Sequence, residues 1–584
     1  MARPEARPGA AGDPDGRDAI AFHTAVFDWC VRRARRCRER EALEQALQWL
    51  EIAGRHAVDH PFGALSSPGL EAELLEIARA LPACAPPGDG QPPRGAGDER
   101  ARPRWLHVFT QVYEIGGHTA MAARWFGCDR ARRHDAVLLS QPQPPPDFFV
   151  SALRAGGGQL WQLAPGLPLL ERARALRTRA SAETDVVVLH VHPWDVVPTV
   201  AFGVSGGPAV VVVNHAGHAF WIGGAVADLV LSLRRASQEW TERHRGIPRG
   251  ELLPILVPTE EIGPVGAGST AESRARARDR LGVPRDSVVL VTVARAEKFT
   301  ALPGGGADFL DAAESILRGS PRAWLLAVGP TADPRWDAAR RAVEGRLRAE
   351  GAHRDLADYY AAVDVFLESF PFGSSTALLE AAIRGIPCVR APRSLPPFGS
   401  GGPGIEGLPQ PEDAAAYARE ALALLEDETA RRDRGRVVAA AVRACHGTTG
   451  WLARLDEVAT RIPANHVVHP LPAGERLPPA AVASWAKWSS AVRPGNALVA
   501  VFEAALAGSL EPSMDGRLLA VTLRRPRPCD DQGLAAACLV GLALRLPWPR
   551  HITPERIYRW TRYLGRPWGR LRRVASRVAG FGRS

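Results

Sequence analysis

Two cations three positions apart, Arg295 and Lys298, follow the apolar run SVVLVTVA. Such a pair suits a phosphoryl group that gains charge as a bond to it breaks. Arg can grip that group bidentately, and Lys acts as a point charge. Further on, FPFGSSTALLEAAIRG places Gly373, Ser374, Ser375 and Thr376 where a helix should begin, with Glu380 about a turn inside it. Unpaired N–H groups at a helix N-terminus favour anions. Hydroxyls there add hydrogen bonds, and a carboxylate behind them can accept from ligand hydroxyls. Plain helix capping also explains serines and a glutamate at these positions. It does not explain the preceding Pro-Phe-Gly. A third cluster, Gly116-Gly117-His118-Thr119, lets the backbone approach a ligand closely, or makes an ordinary turn. His192, His215 and His218 each follow an apolar run. They suit contact with a phosphate or an acceptor group, or a structural bond to the backbone. Three histidines also raise a metal site, but no acidic or cysteine partner stands at ligand spacing, so no metal is expected.

The elements that must position these residues are legible in the hydrophobic pattern. From Trp105 onward, short apolar runs alternate with helical stretches: WLHVFTQ, DAVLLS, DVVVLHVH, AVVVVNH and DLVLSL, then SVVLVTVAR, AWLLAVG, VDVFLES and IPCVRA. Runs this apolar suit strands buried on both faces, and the alternation suits βαβ units around a parallel sheet. The expected class is α/β, with two Rossmann-like domains facing a cleft, at 105–260 and 271–465. Ligands of such sheets bind beyond the carboxyl ends of the strands, where the clusters above lie. The flanks differ. Residues 1–18 read as a disordered lead without an apolar core of the secretory kind. Residues 19–84 repeat apolar positions every three or four residues, as amphipathic helices do. Residues 85–104 form a Pro/Gly linker. Residues 470–584 read as a mainly helical extension with a basic tail.

Length and composition suit a soluble multidomain protein: 584 residues, 46% hydrophobic and 23% charged. Eight cysteines without a C-x-x-C pair suggest neither a disulfide framework nor a zinc site and fit a reducing cytoplasm. The net charge is +10, and His551–Ser584, with nine Arg and one Glu, supplies +8 of it. Acids and bases nearly cancel elsewhere, so nucleic acid is not an expected partner. The tail, with Trp560, Tyr563 and Trp568 among its arginines, suits peripheral contact with an anionic membrane at its inner face. A helix docked on its own protein fits equally well. Only Lys298 and Lys487 among the 73 basic residues are lysine.

About 360 residues resemble the group 1 (family 4-like) glycosyltransferases of the GT-B fold. The resemblance rests on Gly116-Gly117-His118, DVVVLHVHPWD, LLPILVP, VARAEKF, VDVFLESFPFGSSTALLEAAIRGIPCV and QPEDAAAYAREALALLEDETARR. It implies transfer of a sugar from a nucleoside-diphosphate sugar to a glycan, lipid or protein acceptor, with no cofactor. Arg295 and Lys298 would stabilise the leaving diphosphate, and His192 would join them in catalysis. Gly373, Ser374, Ser375 and Thr376 would seat the diphosphate, and Glu380 would bind ribose. Gly116, Gly117, His118, His215 and His218 would line the acceptor and sugar side. Phe372 departs from the family pattern, which has an acidic residue eight positions before the glutamate matched by Glu380. Glu368 stands four residues too early for that place. In this the segment also resembles protein O-GlcNAc transferases, and the stereochemical course stays open. A GT-B sugar epimerase and a non-catalytic scaffold are the alternatives.

Overall fold

The computed structural model describes residues 17–81, 102–164, 166–181, 184–257, 259, 270–301, 308–393, 404–483 and 485. The basic tail, nearly all of the Pro/Gly linker and most of the lead lie outside these residues. The chain opens with α1 (Arg17–Glu39), α2 (Leu43–Asp59) and α3 (Pro68–Ala80). Helix α1 thus starts inside the stretch expected to be a disordered lead. The apolar faces of the three helices do not close on themselves. Phe27, Leu50 and Leu74 share one core with Val197, Val200, Phe220 and Ile222 of the domain that follows. Glu71 fixes that union. Its buried carboxylate accepts from the N–H groups of Gly223, Gly224 and Ala225 at 3.1, 3.0 and 2.5 Å. Burial pushes its carboxyl up to about 7, against the pull of those three bonds.

The first sheet is built from β1 (Arg104–Phe109), α4 (Gly117–Cys128), β2 (Arg133–Leu138), α5 (Asp147–Ala155), β3 (Leu160–Gln162), α6 (Leu169–Ser181), β4 (Val186–His190), α7 (Val197–Ala201), β5 (Ala209–Asn214), β6 (Leu229–Ser232), α8 (Arg235–Arg245) and β7 (Gly250–Leu252). All its strands are parallel, in the order β3-β2-β1-β4-β5-β6-β7. β4, β5 and β6 are buried along their whole length, as strands covered on both faces must be.

The second domain repeats the plan with α9 (Ala271–Leu281), β8 (Val288–Val293), α10 (Phe309–Gly319), β9 (Ala323–Val328), α11 (Pro334–Ala342), β10 (Leu347–Gly351), α12 (Ala357–Ala362), β11 (Val365–Leu367), α13 (Ser375–Ile383), β12 (Cys388–Val389), α14 (Ala414–Glu426), α15 (Glu428–His446) and α16 (Thr448–Ala459). Its parallel order is β10-β9-β8-β11-β12. Two Rossmann-like domains are therefore present, as the sequence led us to expect. Strand order reverses between β1 and β4 in one sheet and between β8 and β11 in the other, and such switch points open the crevices that take ligands.

The chain then returns to the first domain. Trp451 of α16 packs edge-on against Trp125 at 5.2 Å and donates from Nε1 to Pro254 O at 2.7 Å. His466 Nδ1 lies 2.7 Å from buried Asp228. Of the 470–584 extension, only 470–483 and 485 are described, and the rest of the expected helical region lies outside the described residues. Its first residues run without regular structure to Pro478, with Leu477 N bonded to Gly63 O between α2 and α3 at 2.8 Å, and the chain turns helical from Pro479. No helix among the described residues is long and apolar enough to cross a membrane.

Candidate functional site

At the second switch point, β8 ends in a short turn that carries Arg295 and Lys298, and β11 leads through residues 368–374 into α13. The two ends are tied together. Lys298 Nζ donates to Gly373 O at 3.0 Å, and Phe372 N–H donates to Lys298 O at 3.4 Å. Ser374 is the N-cap residue of α13 but makes no side-chain cap bond. Capping, the plain explanation for these serines, is thus not the use this helix makes of Ser374. Ser375 and Thr376 form the first turn and are half-buried. Burial lowers the Lys298 ammonium to about 8, Glu368 opposes that shift, and Arg234 and Arg295 add to it.

Glu368 was noted in the sequence only as an acid out of place, and Arg234 was not singled out. Glu368 is fully buried, and its Oε2 accepts from Ala391 N at 2.9 Å. Its charge acts on Lys298 and on Arg234. The acid that seemed misplaced for touching a sugar instead balances the cations beneath the site. Arg234 follows β6 of the first domain, so the first domain adds a cation to the pair from the second. Its signal was the Arg-Arg that ends the run DLVLSL.

Glu380 turns toward the first domain. Its carboxylate pairs with Arg124 Nη2 at 2.5 Å and accepts from Tyr360 Oη at 3.3 Å. A ribose would compete with Arg124 for it. Phe372, where the family has its acid, packs against an apolar cluster of Leu65, Ala219, Leu477, Val482 and Trp485.

On the facing side, Gly116 and Gly117 precede and open α4. Gly116 has φ 175°, extended backbone that any residue adopts. Gly117 lies against the second domain: a Cβ there would stand 3.5 Å from Thr376 Oγ1. His118 bonds Gln111 O through Nε2 at 3.1 Å, and its ring centroid lies 5.8 Å from that of His215. Arg295 reaches back to Ile115 O at 3.4 Å. Burial first, and Arg295 after it, push the His118 imidazole below its ordinary range. His192 contacts Tyr113 Oη through Nε2 at 3.0 Å, and its backbone N–H donates to Thr110 Oγ1 at 2.8 Å. That hydroxyl donates to buried Asp195 at 2.5 Å, whose carboxyl burial raises to about 6. Burial lowers His192 to about 4 and His215 to about 3, so both rings are neutral near pH 7.

The structure thus gathers Gly116, Gly117, His118, His192 and His215 at the first switch point, and Arg295, Lys298 and Gly373–Thr376 at the second. The two groups meet at Gly117–Thr376 and Arg295–Ile115. His218 lies against the loop of the second switch point instead, its ring 6.0 Å from Phe372 and 5.7 Å from Trp485. Its loop is held by the buried guanidinium of Arg245, which donates to Gly217 O at 3.0 Å and Ala219 O at 2.5 Å. A polar cavity of about 520 Å³ opens beside the His192 segment. Helix α2 supplies Glu51 and Arg55 to its wall, and the first sheet supplies Gln111, Ser140 and Asp195. Among the described residues, no group of three or more His, Cys, Asp or Glu side chains could hold a metal ion.

Residues 288–427 match the family model described as "Glycosyl transferases group 1", so the resemblance read from the sequence stands. The matched stretch contains Arg295, Lys298 and the whole of α13. Among solved structures, the chain is similar to a glycosyltransferase from Rickettsia africae, with 12% identity, TM-score 0.47, and coverage of 61% of this chain and 97% of that one. It is similar to Anabaena HepE in complex with UDP and glucose, with 15% identity, TM-score 0.46, and coverage of 61% and 100%. It is also similar to a mutant O-GlcNAc transferase from Thermobaculum terrenum, with 18% identity, TM-score 0.42, and coverage of 77% and 84%. A search of curated proteins returns no match.

Proposed function

We propose that this chain, whose second domain is a group 1 glycosyltransferase domain, moves a sugar from a nucleoside-diphosphate donor to an acceptor held by the first domain. The observation that carries the reading is the meeting of two unlike strand-end groups. Arg295, Lys298 and the N-terminus of α13, which has no side-chain cap bond, form one of them. The neutral rings of His118, His192 and His215 form the other. The cations and the helix N-terminus hold the diphosphate and stabilise its charge as the glycosidic bond breaks, the task a metal performs elsewhere. Buried Glu368 offsets their mutual repulsion while no ligand is bound. The sugar then lies beneath the histidines, and a hydroxyl-bearing acceptor enters through the polar cavity walled partly by α2. Closure of the two domains excludes water from the transfer. The test is release of nucleoside diphosphate from a panel of sugar donors, with and without a chelator. Turnover that survives the chelator supports the reading, and turnover that needs a divalent ion removes its metal-independent part. A second reading, a non-catalytic binding protein, is favoured by one feature: Phe372 is committed to apolar packing where the family has an acid. It predicts nucleotide binding without turnover.

A further inference from the structure

Four histidines line up across the first sheet. His134 comes from β2, His107 from β1, His190 from β4, and His215 follows β5. Their rings join head to tail. His215 Nε2 lies 3.0 Å from His190 Nδ1. His190 Nε2 lies 2.9 Å from His107 Nδ1, and His107 Nε2 lies 2.9 Å from His134 Nδ1. The row ends at Asp129, whose Oδ2 is 3.2 Å from His134 Nε2. His107, His134 and His190 are buried, while His215 is half-buried at the strand end.

The pattern Nε2 to Nδ1 repeats at every link, and this gives the row a direction. A neutral imidazole has one donor and one acceptor, and an ionised carboxylate only accepts. Asp129 is ionised. Burial opposes this, but contacts with His134 and Arg132 hold its carboxyl below the usual range. A proton on His134 Nε2 faces that carboxylate at 3.2 Å, and with it there each ring in turn carries its own on Nε2. The last ring, His215, is left with an unprotonated Nδ1 at the cleft. Burial keeps His107 and His190 far below their ordinary range and His215 at about 3, so these three rings are neutral at rest. Its N···N distances are those of direct hydrogen bonds. The charged and titratable neighbours are His118 facing His215, Arg295 beside His118, and Arg132 on Asp129.

We propose that this row is a proton relay that makes His215 the base for the acceptor hydroxyl, with Asp129 as its distant anchor; the proposal rests on the sugar-transfer reading above. As the acceptor oxygen bonds the anomeric carbon, its O–H bond breaks and the proton joins His215 Nδ1. The bond from the anomeric carbon to the diphosphate breaks, and its electron pair leaves with the diphosphate. His215 passes its Nε2 proton to His190 Nδ1, His190 passes its own to His107, and His107 passes its own to His134. The positive charge then rests on His134 beside the Asp129 carboxylate, three rings from the reacting atoms and away from the cations that hold the diphosphate. Reverse transfers reset the row once product leaves. A merely structural row would satisfy the same nitrogens, but it would move no proton.

The test is nitrogen NMR of histidine-labelled full-length protein, together with kinetics. Without substrate, the rings of His107, His190 and His215 should be neutral at pH 7 and protonated on Nε2. His107→Phe keeps an aromatic ring but cuts the row. His215 should then show both tautomers, and kcat should fall about tenfold or more, within the range of acid–base contributions, with nucleoside diphosphate affinity unchanged. A folded His107→Phe protein with an unchanged His215 tautomer and unchanged kcat overturns the relay. Should that variant not fold, Asp129→Asn removes the anchoring charge, and the same two outcomes decide. Wild-type protein that binds no nucleoside diphosphate would sink the transfer reading instead, because the tautomer pattern is read without any substrate.

Discussion

The two switch points of this molecule use opposite chemistry. The second domain places cations at its strand ends: Arg295 and half-buried Lys298, with a helix N-terminus beside them and Glu368 underneath. The first domain places neutral imidazoles at its own strand ends and continues them inward through three buried rings to a carboxylate. In the function proposed above, one side holds a highly charged group and the other stays uncharged until a proton arrives. The proposed transfer uses both, and the two sides act on each other across the seam, Arg234 on Lys298 and Arg295 on His118.

Four changes would break or sharpen this contrast, from the largest effect to the smallest. The histidine side is packed more rigidly than the seam between domains. A Cβ at Gly217 would stand 2.2 Å from Ser237 Oγ. Gly217→Val should therefore destabilise the first domain by about 3 kcal/mol, read as a lowered Tm, whereas Gly117→Ala at the seam should be nearly neutral for folding. Titration separates the sides next. Lys298 loses its charge above about pH 8, so nucleoside diphosphate affinity should fall as pH rises through that value, by up to about tenfold per unit. The His192 and His215 resonances should not move between pH 7 and 5.5, since burial holds them near 4 and 3. Movement of either ring in that range would erase the contrast. A smaller effect is expected at the interdomain pair. Arg124→Ala removes a half-buried ion pair to Glu380 and should cost about 1 kcal/mol in chemical denaturation, while nucleotide affinity should not fall and should rise if the proposed ribose contact to Glu380 competes with Arg124. The exposed pair Arg354–Glu114, 2.7 Å apart, also spans the domains. Arg354→Ala should change stability by under about 0.5 kcal/mol.

The sequence pattern carried the interior of both sheets. β1, β2, β4, β5, β6, β8, β9, β11 and β12 are the apolar runs, because strands covered on both faces leave little room for polar residues. Three edge strands were not legible. β3, β7 and β10 are short or polar, as half-exposed edges can be. The cations and α13 were readable because strand-end position and residue type agree. Glu380 was read for ribose alone, since pairing with Arg124 depends on how the domains meet. The histidine row left a trace that went unused. WLHVFTQ, RRHDAVLL and DVVVLHV each hold one histidine inside a run meant for the core. Burying a polar ring is unfavourable without a partner, so three such runs in adjacent strands pointed to partners in one another. The union of α1–α3 with the first core was invisible because an amphipathic helix does not state what covers it.

The most direct test of the central claim is calorimetric titration of the full-length protein with UDP, GDP, ADP and TDP, alongside Lys298→Ala. A hydrogen bond to a charged group is worth roughly 1.5–3 kcal/mol. One nucleotide should therefore bind, and the variant should bind it about 10- to 100-fold more weakly. If none binds the folded protein at about millimolar concentration, or if Lys298→Ala binds as well as the wild type, the second switch point is not a diphosphate site and the account fails.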